Sequence, residues 1–310
     1  MPVVKIVDIK HIKDTFGKES TKEKMDMIET WLISGDKHGN FSTMFNSIEQ
    51  NYLPEKTAII ILGDAGINFW LNKNDKKLKE EIENKKYYLY LVKGNHEMRC
   101  QHLENIKIKY DEEVHGPVYY EPEYPYIHYF MDYGIYTINN YRCLVIGGAY
   151  SVDKWWRLER AGINDPADNN PKKTGWFADE CLTETEMWDC EDMIESSGNN
   201  VFDFVFSHTC PKKFQPIDLF LGAVDQSKVD DSMEVWMDEI YSKIVVNFAW
   251  NFGHYHADRL EAPHVEQYFN DIEDLDVIKN RWERYDATKT LDWWLHKGGN
   301  FYLHENNSGE

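Results

Sequence analysis

The apolar positions of the chain fall into short runs, and most of them end in a glycine-containing turn. Glu29–Ser34 (ETWLIS) predicts a strand that leads into Gly35-Asp36-Lys37-His38-Gly39. A helix is expected to begin near Asn40, with Met44, Phe45 and Ile48 on one face. Thr57–Leu62 (TAIIIL) is a continuous β-branched run, the pattern of a strand covered on both faces, and it ends in Gly63-Asp64. Asp75–Lys86 is rich in Lys and Glu and predicts a solvated helix with i,i+4 pairs. Tyr88–Val92 (YLYLV) is the next strand, closing on Gly94-Asn95-His96-Glu97.

The region from 100 to 140 is less regular. Tyr141–Gly147 (YRCLVIG) reads as a strand into Gly147-Gly148, and Thr183–Ser197 as a helix. Val201–Ser207 (VFDFVFS) is a strand ending at His208. Ile244–Phe252 is another, ending in Gly253-His254-Tyr255-His256. A helix is expected near Leu275–Tyr285, followed by the aromatic pair Trp293-Trp294. Residues 1–27 are polar and predict no clear element. Strands that alternate with helices and then recur at wider spacing indicate a layered α/β sandwich. No repeat or Gly/Pro/Ser-rich linker divides the chain, so residues 1–310 are expected to form a single domain. The aromatic residues of 257–310 predict a C-terminal extension packed on its body.

Composition narrows the function classes. At 42% hydrophobic and 15% aromatic residues, a large core is affordable on sequence grounds. The formal net charge of −20 repels nucleic acid and anionic membranes at long range. It does not exclude an anionic substrate, because bound divalent cations can dominate the local field. Five cysteines, none in a C-x-x-C pair, indicate a reduced intracellular protein. With no apolar run of roughly 18 residues and no signal-peptide pattern, the expected location is the cytoplasm, without a membrane partner. Oligomeric state leaves no trace in the sequence.

Five predicted strands end in residues that can ligate metal: Asp36 and His38, Asp64, Asn95 and His96, His208, and His254 with His256. Ligand sites in α/β folds lie beyond the carboxyl ends of strands. Singly, each residue has an ordinary explanation. An Asp can be a turn residue or helix cap, a His a satisfied structural histidine, and Gly-Asn a turn. The ordered set behind five strands is far more specific than any member.

This series resembles the calcineurin-like metallophosphoesterase signature, from residue 35 to residue 256. The resemblance implies a four-layer αββα sandwich with a dinuclear centre at the strand ends. It implies that Asp36, His38, Asp64 and His256 hold one ion, and that Asp64, Asn95, His208 and His254 hold the other. Asp64 is then the bridge. His96 matches the family's histidine that stands outside the coordination shell, beside the leaving-group oxygen. A mixed N/O donor set suits Mn²⁺, Fe or Zn²⁺, with Mn²⁺ the first expectation. Two such ions about 3.5–4 Å apart polarise a phosphoryl group and generate a hydroxide nucleophile.

The implied activity is hydrolysis of a phosphomonoester or phosphodiester, with a phosphorylated small molecule or nucleotide as substrate. A nuclease is one alternative, but it needs a basic groove that the net charge argues against. A non-catalytic scaffold is another, but it would be expected to lose ligands, and here every position is filled. In the protein Ser/Thr phosphatases an Asp and an Arg follow the second motif. Here Gly63-Asp64 continues as Ala65-Gly66-Ile67-Asn68-Phe69-Trp70, and in this the chain more closely resembles a bacterial or phage branch of the superfamily. Arg99, Arg157 and Asn68 are therefore the candidate substrate contacts, each with a structural role as its rival. Glu97 is either a brace behind the ligands or a first-turn carboxylate. Aromatic residues between 150 and 180 are candidates for stacking on a flat substrate group, or for the core.

Overall fold

The computed structural model describes residues 28–222 and 224–288, so Trp293, Trp294 and residues 1–27 lie outside the described part. Two sheets, of seven and six strands, form its centre. In the first, β1 (Thr30–Ser34), β2 (Thr57–Ile61), β3 (Tyr88–Leu91) and β6 (Ile127–Phe130) run parallel. The hairpin of β4 (Lys107–Asp111) and β5 (Gly116–Tyr120) extends one edge antiparallel, and β13 (Ile272–Asp274) covers the other. In the second sheet, β8 (Tyr141–Ile146), β9 (Val201–Ser207), β10 (Val245–Phe252) and β12 (Val265–Gln267) run parallel. Antiparallel β7 (Tyr133–Ile138) and β11 (Arg259–Ala262) close its edges.

Side-chain alternation makes four layers. Leu32, Ile59, Ile61 and Leu89 face outward from the first sheet. They meet Met44, Phe45 and Ile48 of α1 (Ser42–Ile48) and Ile82 of α2 (Lys73–Glu83). Their neighbours Ile33, Ala58, Ile60 and Tyr90 face inward, against Val145, Phe204, Phe206 and Ala249 of the second sheet. Beyond α3 (Lys154–Arg160) and the single turn α4 (Pro171–Thr174) come the helices of the far layer, α5 (Glu184–Ser196) and α6 (Ser232–Lys243). Met187, Cys190 and Ile194 of α5 and Met233, Trp236 and Ile240 of α6 cover Leu144, Ile146, Phe202 and Val205. The expected αββα sandwich is therefore present. From the C-terminal part, α7 (Leu275–Thr288) sends Leu275, Ile278 and Trp282 into the layer between the sheets.

Register explains why distant motifs can converge. Ser34 pairs with Ile61, which pairs with Leu91. Ile146 pairs with Ser207, which pairs with Phe252. Three strands of one sheet and three of the other thus end level with their neighbours, and the next few residues of each carry the polar motifs. Strand limits differ from expectation by a residue or two, as in β10, which begins at Val245 rather than Ile244. At α5, Thr183 is the N-cap and exchanges hydrogen bonds with Glu186 in a capping box. All five cysteines are free, and among the described residues no helix is long and apolar enough to cross a membrane.

Inside the first sheet, His128 is buried and stacks on Tyr90 at 4.8 Å. Lys109 Nζ approaches its Nε2 at 2.9 Å. Burial first, and then the Lys109 ammonium against a weaker opposing Asp111, lower its pKa to about 3. The fold therefore holds a neutral ring, and its contribution to stability is complete above the ordinary histidine range near 6.5. As pH falls from there, the unfolded chain binds a proton that the fold refuses, and about 2 kcal/mol is lost by pH 5. His128→Phe, measured by thermal midpoint, is expected to flatten the fall between pH 6.5 and pH 5; a curve parallel to wild type would contradict this.

Candidate metal centre

The polar turns at these level strand ends form one cluster, buried at its carboxylates and open to solvent at His38 and His256. Asp36 and Asp64 are each almost fully buried and lie at its middle. Asp36 Oδ2 is 3.2 Å from His256 Nε2 and 3.7 Å from His38 Nε2, and the two Nε2 atoms are 2.9 Å apart. On the other side, Asp64 Oδ1 is 3.6 Å from His208 Nε2, which is 2.8 Å from Asn95 Oδ1. Asp36 is common to both groups: with His38 and His256, and with Asp64 and His208, ligand atoms gather within 4.8 Å. His254 places its ring against His208, centroids 5.0 Å apart, and its backbone N–H donates to Asp36 Oδ1 at 2.8 Å. The structure thus brings all seven expected ligands into one neighbourhood. The sequence did not reveal how central Asp36 is.

The backbone is bent hard to achieve this. His38, Asp64, His254 and His256 all adopt positive φ, from 45° to 68°. In non-glycine residues this costs on the order of 1–3 kcal/mol each and persists where the surroundings enforce it. The neighbouring glycines are required by space. A Cβ on Gly63 would lie 2.1 Å from His208 Nδ1, and one on Gly253 would lie 2.4 Å from Asp36 Oδ1. At Gly94 it would meet Asp64 Oδ1 at 2.1 Å. Gly94→Ala is therefore expected to displace Asp64 and weaken metal binding by roughly 10- to 100-fold, as loss of a ligand's support does. Titration with Mn²⁺ by calorimetry checks this; unchanged affinity would show that Asp64 does not depend on Gly94.

Electrostatics favour a cation at the centre. Burial opposes the Asp36 charge, yet His256 and His208 hold its carboxyl below the ordinary range. His208 is depressed by burial, but Asp64, helped by Asp36, more than reverses this and pulls it up to about 9. Burial and the adjacent His208 charge push His254 down to about 3. Asp36 Oδ2 is buried without a well-directed hydrogen bond. Two imidazoles and a carboxylate oxygen that converge while one buried lone pair stays unmatched fit a divalent ion with mixed N/O donors. Among these candidate ligands His208 is fixed from behind, its Nδ1 on the Leu62 carbonyl at 2.7 Å.

Several supports were not legible as such. Ser151 Oγ accepts from Asn95 Nδ2 at 2.8 Å and so turns the amide oxygen toward His208. Lys93 Nζ donates to the carbonyls of Gly94 and Glu180. Glu97 accepts from the Gly94 N–H at 2.6 Å and is a brace of the turn; burial, then the Asp64 charge, raises its pKa to about 7. His96 donates its backbone N–H to Asp64 Oδ1 at 2.8 Å. Its ring stands 6.0 Å from that of His38 and 6.3 Å from that of Phe69.

The three candidate substrate contacts separate. Arg99 is buried and uses its whole guanidinium internally. It donates to Asp132, Glu186 and the carbonyls of Asp179 and Cys181, which leaves no donor for phosphate. Asn68 donates to the buried Tyr129 hydroxyl at 3.1 Å and likewise serves the scaffold. For Arg99 the expected substrate contact gives way to a structural one, because a guanidinium buried in the scaffold needs its acceptors there. Arg157 differs. It is half-buried, bonds Asp153 at 2.7 Å and the Gly175 carbonyl at 3.2 Å, and is close enough to lower the His96 pKa alongside burial.

The model of the calcineurin-like phosphoesterase family matches residues 30–212, more than half of the chain. The chain belongs to the calcineurin-like phosphoesterase family. The matched span holds Asp36, His38, Asp64, Asn95, His96 and His208, while His254 and His256 follow it. Among solved structures, the phosphopantetheinyl hydrolase of Mycobacterium tuberculosis is similar at 11% identity. That match covers 85% of this chain and 94% of the other, with a TM-score of 0.35. No curated protein matches the sequence significantly.

Proposed function

We propose that this calcineurin-like phosphoesterase hydrolyses a phosphomonoester or phosphodiester at a centre of two divalent ions, Mn²⁺ first among them. Asp36, His38, Asp64 and His256 hold one ion in this reading, and Asp64, Asn95, His208 and His254 the other. What supports it most is the convergence of His38, His208 and His256 on the two buried carboxylates Asp36 and Asp64, with Asp64 within electrostatic reach of both His38 and His208. When bound, the ions supply Lewis acidity toward the phosphoryl oxygens and a nucleophile drawn from water.

The chain's own residues do the rest. Ser151 sets the Asn95 amide, and the Leu62 carbonyl sets the His208 tautomer. Asp64 fixes the turn that carries His96. His96 then stands at the rim of the centre, between His38 and Phe69, to deliver a proton to the departing oxygen. The test is release of p-nitrophenol from p-nitrophenyl phosphate and its bis ester. Activity that disappears with EDTA and returns with Mn²⁺ is expected. A chain inert on both esters with every divalent ion tried would sink the proposal.

A further inference from the structure

The surface beside His96 is cationic, although the chain as a whole is acidic. A cleft of about 420 Å³ opens between α3, α4 and the segment after Asp64. Its twelve lining residues include four cations, Arg157, Arg160, Lys172 and Lys173, and no carboxylate, although the chain carries a net charge of −20. The same wall presents three aromatic rings, Phe69, Trp70 and Trp156. Trp70 and Trp156 are 55% and 56% exposed, so their ring faces are open to a ligand. Arg160 lies over the Trp156 ring at 5.2 Å, so a guanidinium and an aromatic face are offered together.

The cleft adjoins the reacting end. Phe69 is shared between it and the His96 ring, 6.3 Å from that ring's centroid, and Arg157 lines the same wall. The Arg157 Nη2 makes no hydrogen bond among the described residues and is free to meet an anion. Gly175 keeps this junction open, since a Cβ there would lie 2.9 Å from Arg157 Nη1 and 3.0 Å from Phe69 Cζ.

We propose that this cleft is the leaving-group subsite of the phosphoesterase, and that it takes a group bearing both a flat ring and a further negative charge. The nucleoside monophosphate half of a nucleoside diphosphate has this chemistry. The ring stacks on Trp156 and Trp70, the charge meets Arg157 and Arg160, and the bond to the terminal phosphate reaches His96. The inference rests on the hydrolase reading above for the direction of the substrate.

The test compares ADP with p-nitrophenyl phosphate, which lacks the second charge. Trp156→Ala and Arg160→Ala alter exposed side chains, so folding is checked by thermal midpoint alone. Each is expected to lower the ratio of kcat/KM for ADP to that for p-nitrophenyl phosphate by about tenfold, the scale of one lost stacking contact for Trp156 and of one lost charge-assisted contact for Arg160. A second measurement needs no turnover: AMP is titrated into Asp64→Asn protein and tryptophan fluorescence is followed. Saturable quenching that is lost when Trp156→Ala is added supports the subsite, even if no ester is hydrolysed and the hydrolase reading has failed. An unchanged ratio in both variants, with AMP leaving the fluorescence untouched, overturns the subsite while p-nitrophenyl phosphate turnover keeps the hydrolase reading intact.

Discussion

Asp64→Asn is expected to lower metal-dependent ester hydrolysis by about three orders of magnitude, equivalent to roughly 4 kcal/mol of transition-state stabilisation. Asp64 is the carboxylate felt by His208, His96 and His38 at once. It also holds the turn of His96 through the backbone hydrogen bond at Oδ1. An amide in its place keeps the shape but offers one neutral oxygen where the centre needs a shared anion. The substitution also leaves the buried His208 without its charge partner, so the metal-free fold should be less stable than wild type. The two effects together are diagnostic. Mn²⁺ should raise the thermal midpoint of wild type and leave that of Asp64→Asn nearly unmoved, because only binding to the native state stabilises. Equal metal-induced shifts in both proteins would remove Asp64 from the centre.

The second large effect falls on stability. Arg99→Met is expected to destabilise the fold by about 2–4 kcal/mol, since removing one partner leaves partly buried carboxylates uncompensated. Arg99 joins the turn after His96 to Asp132 and to Glu186 in the first turn of α5. It also ties down the carbonyls of Asp179 and Cys181. Denaturant unfolding should show the loss, while KM for p-nitrophenyl phosphate stays within about twofold of wild type below the melting range. A KM raised tenfold in a protein of normal stability would return Arg99 to the phosphate.

How far this centre was legible follows from where its residues sit. Asp36, His38, Asp64, Asn95, His208, His254 and His256 each follow a strong apolar run, and buried parallel strands write themselves into sequence as continuous hydrophobic stretches. The level register that joins them is a property of the sheets, but Gly63, Gly94 and Gly253 already marked the close approach. Strands β4 to β6 were harder. Runs such as Lys107–Asp111 (KIKYD) and Gly116–Tyr120 (GPVYY) belong to the edge of a sheet, where one face meets solvent and the apolar signal is diluted. Arg99 and Arg157 could not be told apart by sequence, because the residues that decide between them, Glu186 and Gly175, lie far along the chain. Ser151 was invisible for the same reason, with 56 residues separating it from the Asn95 amide it orients.

The central claim is that one cluster of strand-end side chains binds two ions through a shared carboxylate. Its most direct test is metal analysis of Mn²⁺-loaded protein together with its electron paramagnetic resonance spectrum. The account predicts two manganese ions per chain with the spectrum of an exchange-coupled pair, and loss of that coupling in Asp64→Asn. One ion per chain, or two that give the spectrum of isolated Mn²⁺ in wild type, would contradict it.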